Sequence, residues 1–119
     1  MPARFVILHH ASSQGEHWDL MLEHGDALVT WQLAREPVDA TSLPIRAVRI
    51  GDHRKAYLDY EGPISRGRGR VRQVDGGIAA IQELTADRCE FVLDGRRLTG
   101  RFRLAVIADV WWLARAEDG

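Results

Sequence analysis

The sequence predicts a mainly β fold, a small closed or nearly closed antiparallel β-barrel with at most one or two short helices. Short strand-like segments follow one another along the chain, and tight-turn signals separate several of them. Only one segment also suits a helix. Because so many short strands would otherwise leave many exposed edges, a barrel that closes on itself is the expected architecture.

The strand pattern recurs from the first residues to the last. The strand-like segments lie at residues 4–8, 17–23, 27–33, 45–50, 57–61, 69–75, 78–84, 90–93, 98–106 and 110–115. Turns are indicated at His24-Gly25-Asp26, Asp75-Gly76-Gly77 and Asp94-Gly95. Residues 78–84 are the segment that also suits a helix, which at about two turns would need tertiary support. Residues 36–44 are predicted to form a loop bounded by prolines, with room for one helical turn.

Composition indicates one ordinary globular domain covering residues 1–119. The chain is 45% hydrophobic and 28% charged, and its formal net charge of -1 argues against coating nucleic acid through bulk charge. A single cysteine, Cys89, excludes an intramolecular disulfide framework and a cysteine-based zinc site. Neither a signal peptide nor a run of roughly 20 apolar residues is present. We therefore expect a cytoplasmic protein with no membrane partner.

Residues 17–23 alternate in polarity, and this alternation sets two potential metal ligands side by side. His17 and Asp19 share one parity, while apolar side chains occupy the other. Successive side chains of a strand point to opposite faces, so these two lie on one face, roughly 7 Å apart at Cα. A third ligand is available from His9 or His10, which follow an apolar strand-like run.

Two imidazoles and one carboxylate with open positions suit a catalytic divalent transition metal. The vacant positions accept water or a substrate oxygen, as manganese, iron or zinc chemistry requires, whereas calcium fits such a set poorly. The alternative interpretation is that His17 and Asp19 simply hydrogen-bond to each other at the end of a half-buried strand. Spacing alone does not separate the two interpretations.

A second polar constellation contains His53 and Tyr57. The imidazole can bind a phosphate oxygen or move a proton, and the phenol can donate a hydrogen bond. The alternative is that His53 caps a turn and that Tyr57 belongs to the core. This segment alone favours the alternative.

Positive charge concentrates around and after His53. Residues 46–72 contain eight basic side chains and three acidic ones. The last four arginines of this stretch share one strand parity and could line one face, and arginine forks suit phosphate oxygens. They are Arg66, Arg68, Arg70 and Arg72. The alternative is a solvated hairpin, but the clustering favours phosphate binding.

Five motifs in the same order resemble the 3′-phosphoesterase domain of bacterial DNA ligase D, a manganese-dependent end-healing module. The likeness runs over nearly the whole chain. The motifs are His10-Ala11-Ser12, His17-Trp18-Asp19-Leu20-x-Leu22-Glu23, Trp31-x-x-x-Arg35-x-Pro37, Asp52-His53-x-x-x-Tyr57-x-Asp59-Tyr60-Glu61-Gly62 and Phe91-Val92-Leu93-x-Gly95-x-Arg97-Leu98-x-Gly100-Arg101-Phe102.

The resemblance implies a small β-barrel that trims ribonucleosides and phosphates from the 3′ end of a primer strand. It assigns the metal to His9, His17 and Asp19, with His10 as the alternative first ligand. It gives His53 and Tyr57 the catalytic roles. Phosphate-binding candidates are Arg35, Arg46, Arg54, Arg66 and Arg68. Manganese is the expected cofactor, with zinc or another transition metal as the alternative, and a separate DNA ligase or polymerase is an expected partner.

Two departures from the family pattern bear on activity. The arginine that the family has two residues after the aspartate is Met21 here, and loss of one phosphate-binding cation is worth roughly a hundredfold in rate. The loop before His17 is longer than usual, which leaves His9 and His10 both eligible. The alternative function is therefore a catalytically weakened barrel that binds nucleic acid or a protein partner. An unrelated metal-binding small-molecule enzyme is a third hypothesis.

Overall fold

The computed structural model describes residues 2–116, most of which lie in β-strands. Met1 and residues 117–119, the two ends of the predicted domain, lie outside the described residues. The strands are β1 (Ala3–Ser12), β2 (Gly15–His24), β3 (Ala27–Leu33), β4 (Ile45–Arg54), β5 (Gly62–Pro63), β6 (Arg70–Leu84), β7 (Arg88–Gly95), β8 (Thr99–Ile107) and β9 (Val110–Arg115). Two 3₁₀ helices complete the secondary structure of residues 2–116, Ala40–Ser42 and Lys55–Leu58.

The strands close into a barrel. The ring runs in the order β1, β2, β3, β4, β9, β8, β7 and β6, and β6 then pairs with β1. All of these pairings are antiparallel, and β5 adds a two-residue pairing beside β6. The predicted fold class, a closed antiparallel barrel with at most two short helices, is confirmed.

The barrel interior holds the larger of two apolar clusters. Its largest members include Trp31, Phe5, Phe91 and Phe102, all fully buried. Cys89 belongs to the same cluster, and burial raises the pKa of its thiol to about 12. The thiol is therefore a core side chain that stays protonated at neutral pH.

A second apolar cluster lies on the outer face of the barrel. It consists of Val6, Leu8, Met21, Leu28, Leu58 and Val71. Val6 and Leu8 of β1 belong to it, whereas the alternate residues Phe5 and Ile7 belong to the interior cluster. Both faces of β1 are therefore buried here, which explains why residues 5–8 are all apolar. Residues 55–69 are called the covering segment below, because Leu58 belongs to this cluster and Tyr57 and Ile64 pack against it.

The predicted turn at residues 75–77 is wrong. The two segments on either side of it join into one long strand, β6, which continues through residues 78–84 without a helix. A Cβ added at Gly77 would lie 2.1 Å from the carbonyl oxygen of Asp94. Glycine is therefore required at this position, because β6 and β7 approach each other too closely for a side chain.

Asp75 is fully buried within β6 and accepts four backbone N–H groups. Its Oδ1 accepts from Gly76 and Arg96 at 2.8 Å each and from Arg97 at 3.3 Å, and its Oδ2 accepts from Leu98 at 2.9 Å. Three of these donors belong to the connection between β7 and β8. The carboxylate thus fixes this connection to β6.

We expect Asp75→Ala to lower the free energy of unfolding by about 3 kcal/mol, because it leaves several N–H groups without the charged acceptor that each bonds in the fold. Urea unfolding followed by circular dichroism measures the change. The control is Asp94→Ala, which removes an exposed acid from the same hairpin. A difference of less than about 0.5 kcal/mol between the two variants would contradict the role given to Asp75.

The short helices account for the remaining differences from the sequence prediction. The predicted strand at residues 57–61 is wrong: the chain forms the 3₁₀ helix Lys55–Leu58 there, since it leaves the barrel to cover the outer cluster. The predicted loop at residues 36–44 is confirmed, with one helical turn at Ala40–Ser42. Within the described residues, no helix has the length and apolar character needed to cross a membrane.

Candidate active site

The candidate site lies on the outer face of the barrel, at the hairpin of β1 and β2. A two-residue turn joins the strands and pairs Ser12 with Gly15, and the same register sets His10 opposite His17. Asp19 lies two residues further along β2, so its side chain points to the same face as His17. Neighbouring strands therefore bring three potential metal ligands together.

His10, His17 and Asp19 each offer a ligand atom within 4.8 Å of the others. The distance from His17 Nδ1 to Asp19 Oδ1 is 2.9 Å, and that from His10 Nδ1 to Asp19 Oδ2 is 3.9 Å. The two imidazole rings meet edge to face, with centroids 4.7 Å apart. Two imidazoles and a buried carboxylate at these distances fit a divalent transition metal.

Hydrogen bonding fixes the tautomer of His10. Its Nε2 lies 2.6 Å from the backbone carbonyl oxygen of Arg68, so we assign the proton to Nε2. The other ring nitrogen, Nδ1, then faces Asp19. A backbone carbonyl in this position orients a metal-binding histidine and makes it a better ligand.

Burial alters the acidity of the other two groups. It raises the pKa of Asp19 to about 6, although the positive charge of a protonated His10 acts in the opposite direction. Burial and the neighbouring His10 and His9 lower the pKa of His17. The lowered pKa favours the neutral imidazole, the form that binds a metal.

Gln32 is a site residue that the sequence analysis missed. Its register partner on β2 is Asp19, and its side-chain amide nitrogen lies 3.5 Å from His17 Nε2. An amide has both a donor and an acceptor, so it can support either tautomer of His17. The sequence did contain one signal for this residue. Gln32 and Thr30 are polar residues that alternate with apolar ones in residues 27–33, so both lie on the face of β3 that points away from the barrel interior.

His9, the first choice of ligand from the sequence, points away from this group. Its ring stacks on Trp18 with centroids 5.0 Å apart, and its Nε2 lies 2.6 Å from a carboxylate oxygen of Glu16. Neighbouring residues of a strand face opposite sides, so His9 and His10 cannot both join His17. The structure brings His10, the alternative ligand, into the group.

A cavity of about 100 Å³ joins the three ligands to the second polar constellation. It is lined by His10, Asp19, Met21, His53, Tyr57, Ile64, Arg68 and Val71. Both sequence-predicted catalytic residues, His53 and Tyr57, thus face the potential metal ligands. Met21 is fully buried in the cavity wall, and Arg68 also lines the cavity.

His53 and Tyr57 lie where the end of β4 meets the covering segment. His53 Nδ1 donates to the carbonyl oxygen of Gly51 at 3.0 Å, which leaves Nε2 to act as a donor or acceptor in the cavity. The rings of His53 and Tyr57 meet edge to face, 5.5 Å apart at their centroids. The turn-capping bond of the alternative interpretation is thus present, yet both side chains still line the cavity.

Two larger depressions adjoin the cavity, and Arg68 lines both of them. One, about 290 Å³, is bounded by Arg54 and by the tyrosines of the covering segment. The other, about 500 Å³, lies between the β1–β2 turn and Arg66. Arg54, Arg66 and Arg68 are therefore arranged around the potential metal ligands, although their positions in the sequence are far from them.

Arg35 and Arg46, the other two phosphate-binding candidates, do not line the cavity. Arg35 donates to the carbonyl oxygen of Pro44 at 2.8 Å. Arg46 lies on β4 opposite Trp112 of β9. Their roles in phosphate binding stay predictions.

We expect Asp19→Asn to stabilise the metal-free protein at pH 8 by at most about 3 kcal/mol. The folded protein binds the Asp19 proton more tightly than the unfolded chain, so stability falls as pH rises from about 4 to about 6. A neutral amide avoids this cost. The gain should be full above pH 7 and absent near pH 4, measured by urea unfolding in a chelator.

Manganese should reverse this order at pH 8, because a metal that binds only the folded state stabilises it. Wild type should gain stability on adding manganese and Asp19→Asn should not. Asp26→Asn, an exposed acid at the β2–β3 turn, serves as control. The assignment fails if Asp19→Asn gains as much stability from manganese as wild type does.

The fold and the site together define a small β-barrel that sets a group of two histidines and one aspartate beside a cavity lined by His53, Tyr57 and Arg68. Residues 8–106 match the DNA Ligase D 3′-phosphoesterase domain. The chain belongs to this family.

Three curated relatives share about a third of their residues with the chain over the aligned region. The multifunctional non-homologous end joining protein LigD of Pseudomonas aeruginosa is 30% identical over 98% of this chain. The protein of the same name from Mycobacterium bovis is 32% identical over 92% of this chain. The multifunctional non-homologous end joining DNA repair protein LigD of Mycobacterium tuberculosis has the same identity and coverage. In each case the chain spans 15% of the relative's length.

Proposed function

We propose that this chain is a metal-dependent phosphoesterase that trims 3′-terminal ribonucleosides or phosphates from nucleic-acid ends during end-joining DNA repair. The observation that carries the proposal is the meeting of His10, His17 and Asp19 with His53 and Arg68 around one cavity. The relatives' names include end joining and DNA repair. A primer-template end is the proposed substrate, and a separate DNA ligase or polymerase is a proposed partner.

His10, His17 and Asp19 are the proposed metal ligands. Their donor set suits manganese, the first choice from the family resemblance, and also zinc. A bound divalent ion would neutralise charge on a phosphoryl oxygen and lower the pKa of a water molecule. The chain's own contribution is orientation, since the Arg68 carbonyl holds the His10 ring and Gln32 contacts the His17 ring.

His53 is the proposed proton donor. When a 3′-terminal nucleoside is removed, water adds at phosphorus, and the bond from phosphorus to the nucleoside's 5′ oxygen breaks. The attacking water gives up a proton, and the leaving oxygen takes one up. The doubly protonated form of His53 can supply that proton from Nε2, because its Nδ1–H is held by the Gly51 carbonyl. Tyr57 lies beside His53 and can donate a hydrogen bond to a phosphoryl oxygen.

Arg68 is the proposed phosphate-binding cation. Its Nε and one terminal nitrogen donate to the carbonyl oxygen and hydroxyl of Ser65, which hold the side chain against its own loop. Arg68 and Met21 line the same cavity. The guanidinium group of Arg68 can therefore supply the positive charge that Met21 lacks, although Arg68 lies in the covering segment and Met21 on β2.

A second candidate function follows from Met21 itself. A thioether forms part of the cavity wall, where a cation would bind a phosphate. On this alternative the barrel keeps a nucleic-acid-binding surface without efficient catalysis. The alternative predicts binding of a primer-template without cleavage.

A gel assay tests the proposal. The purified chain is incubated with manganese and a labelled primer-template that carries one 3′-terminal ribonucleotide or a 3′-phosphate. We expect wild type and His24→Ala, an exposed histidine at the β2–β3 turn, to shorten the strand or remove its phosphate. His17→Ala and a chelator should each abolish this activity. Binding without cleavage by wild type would replace the proposal with the alternative.

A further inference from the structure

One depression beside the metal-binding group has an aromatic wall. It holds about 290 Å³ and is bounded by Arg54, Tyr57, Tyr60, Pro63 and Arg68, among others. This volume is close to the roughly 300 Å³ at which small-molecule pockets begin. It has room for one nucleoside and not for a run of nucleotides.

Aromatic rings lead from the cavity into this depression. His53 and Tyr57 meet edge to face with centroids 5.5 Å apart, and Tyr57 and Tyr60 do so at 6.0 Å. Tyr60 is 38% exposed, while its hydroxyl donates to the carbonyl oxygen of Pro63. The ring is thus held at one end, and Tyr60 lines this depression as well as a neighbouring one.

The depression on the other side of Arg68 has a different chemistry. It holds about 500 Å³, and its lining is mostly polar, with two arginines and one acid: His10, Ser12, Ser13, Gln14, Glu16, His17, Arg66 and Arg68, beside two glycines. A retained strand carries one phosphate per nucleotide and suits guanidinium and hydroxyl groups. A terminal nucleoside carries no phosphate beyond the one being cleaved, so an aromatic wall suits its base.

We propose, on the basis of the function proposed above, that the aromatic depression holds the 3′-terminal nucleoside and that its base stacks on Tyr60. The reacting phosphate then lies in the cavity shared with Arg68. His53 is on the side of the leaving 5′ oxygen, as a proton donor must be. Tyr60 should therefore contribute to removal of a terminal ribonucleoside and not to removal of a 3′-phosphate, because a bare 3′-phosphate has no base to stack.

The test compares kcat/KM of Tyr60→Ala for two primer-templates, one ending in a 3′-terminal ribonucleoside and one ending in a 3′-phosphate. We expect about a tenfold loss for the ribonucleoside end, within the range of one base-stacking contact. The rate on the 3′-phosphate end should change less than about twofold. Tyr60→Phe keeps the ring without the Pro63 hydrogen bond and should restore the ribonucleoside rate.

Each other outcome is informative. An equal loss on both ends, or no rescue by Tyr60→Phe, would overturn the nucleoside pocket and leave a purely structural tyrosine. Unchanged kcat/KM on both ends would also overturn it. If wild type acts on neither end, the proposed function itself fails and the inference fails with it.

Discussion

His10→Ala is expected to lower manganese-dependent activity more than about 100-fold, whereas His9→Ala should keep activity within a few fold of wild type. Loss of an outer partner of a metal ligand already costs roughly 10–100-fold, and loss of a ligand costs more. His10 lies within reach of His17 and Asp19, whereas His9 stacks on the opposite face. Cleavage of a 3′-terminal ribonucleotide at saturating manganese measures the difference.

The two variants are a matched pair, since each removes one half-buried imidazole from the same strand. Thermal unfolding of the metal-free proteins checks that both fold. Comparable losses in the two variants would mean that the imidazoles contribute through strand packing. The reverse order, with His9→Ala the weaker enzyme, would move the metal to the other face of β1.

Arg68→Ala should lower kcat/KM about 100-fold, the usual effect of removing one charged contact to the reacting phosphate. The hydrogen bond from His10 reaches the backbone carbonyl of Arg68, so the substitution keeps it. Manganese affinity should therefore change little while catalysis is lost. Initial rates and a manganese titration on the same preparation separate the two effects.

Arg70→Ala provides the control for Arg68→Ala. Arg70 is also exposed, lies two residues further along the chain and borders a different depression, one that includes His9. It should retain nearly full activity. If both variants lose activity equally, general positive charge and not a specific phosphate contact would explain the effect.

The barrel was predictable because its strands and turns are marked by local sequence patterns. Alternating segments and glycine turns are signals within a few residues, and most of them agree with the strands found. The turn at residues 75–77 was not predictable in the same way. Asp75 followed by two glycines reads as a turn locally, but the carboxylate binds the distant connection at Arg96, and Gly77 lets β7 approach.

The candidate site was predictable only within one strand. The period of two puts His17 and Asp19 together from sequence alone. The choice between His9 and His10 depends on the register of the β1–β2 hairpin, which a one-residue slip would invert. The meeting of this group with Arg68 depends on where the covering segment folds back, which no local pattern encodes.

The most direct test of the proposed metal ligands is an anomalous difference map from crystals grown with manganese and measured near the manganese absorption edge. We expect one strong peak in contact with His10, His17 and Asp19, on the side of the cavity that holds His53. A peak at His9 and Glu16, or no peak at the three residues with manganese in excess, would contradict the account.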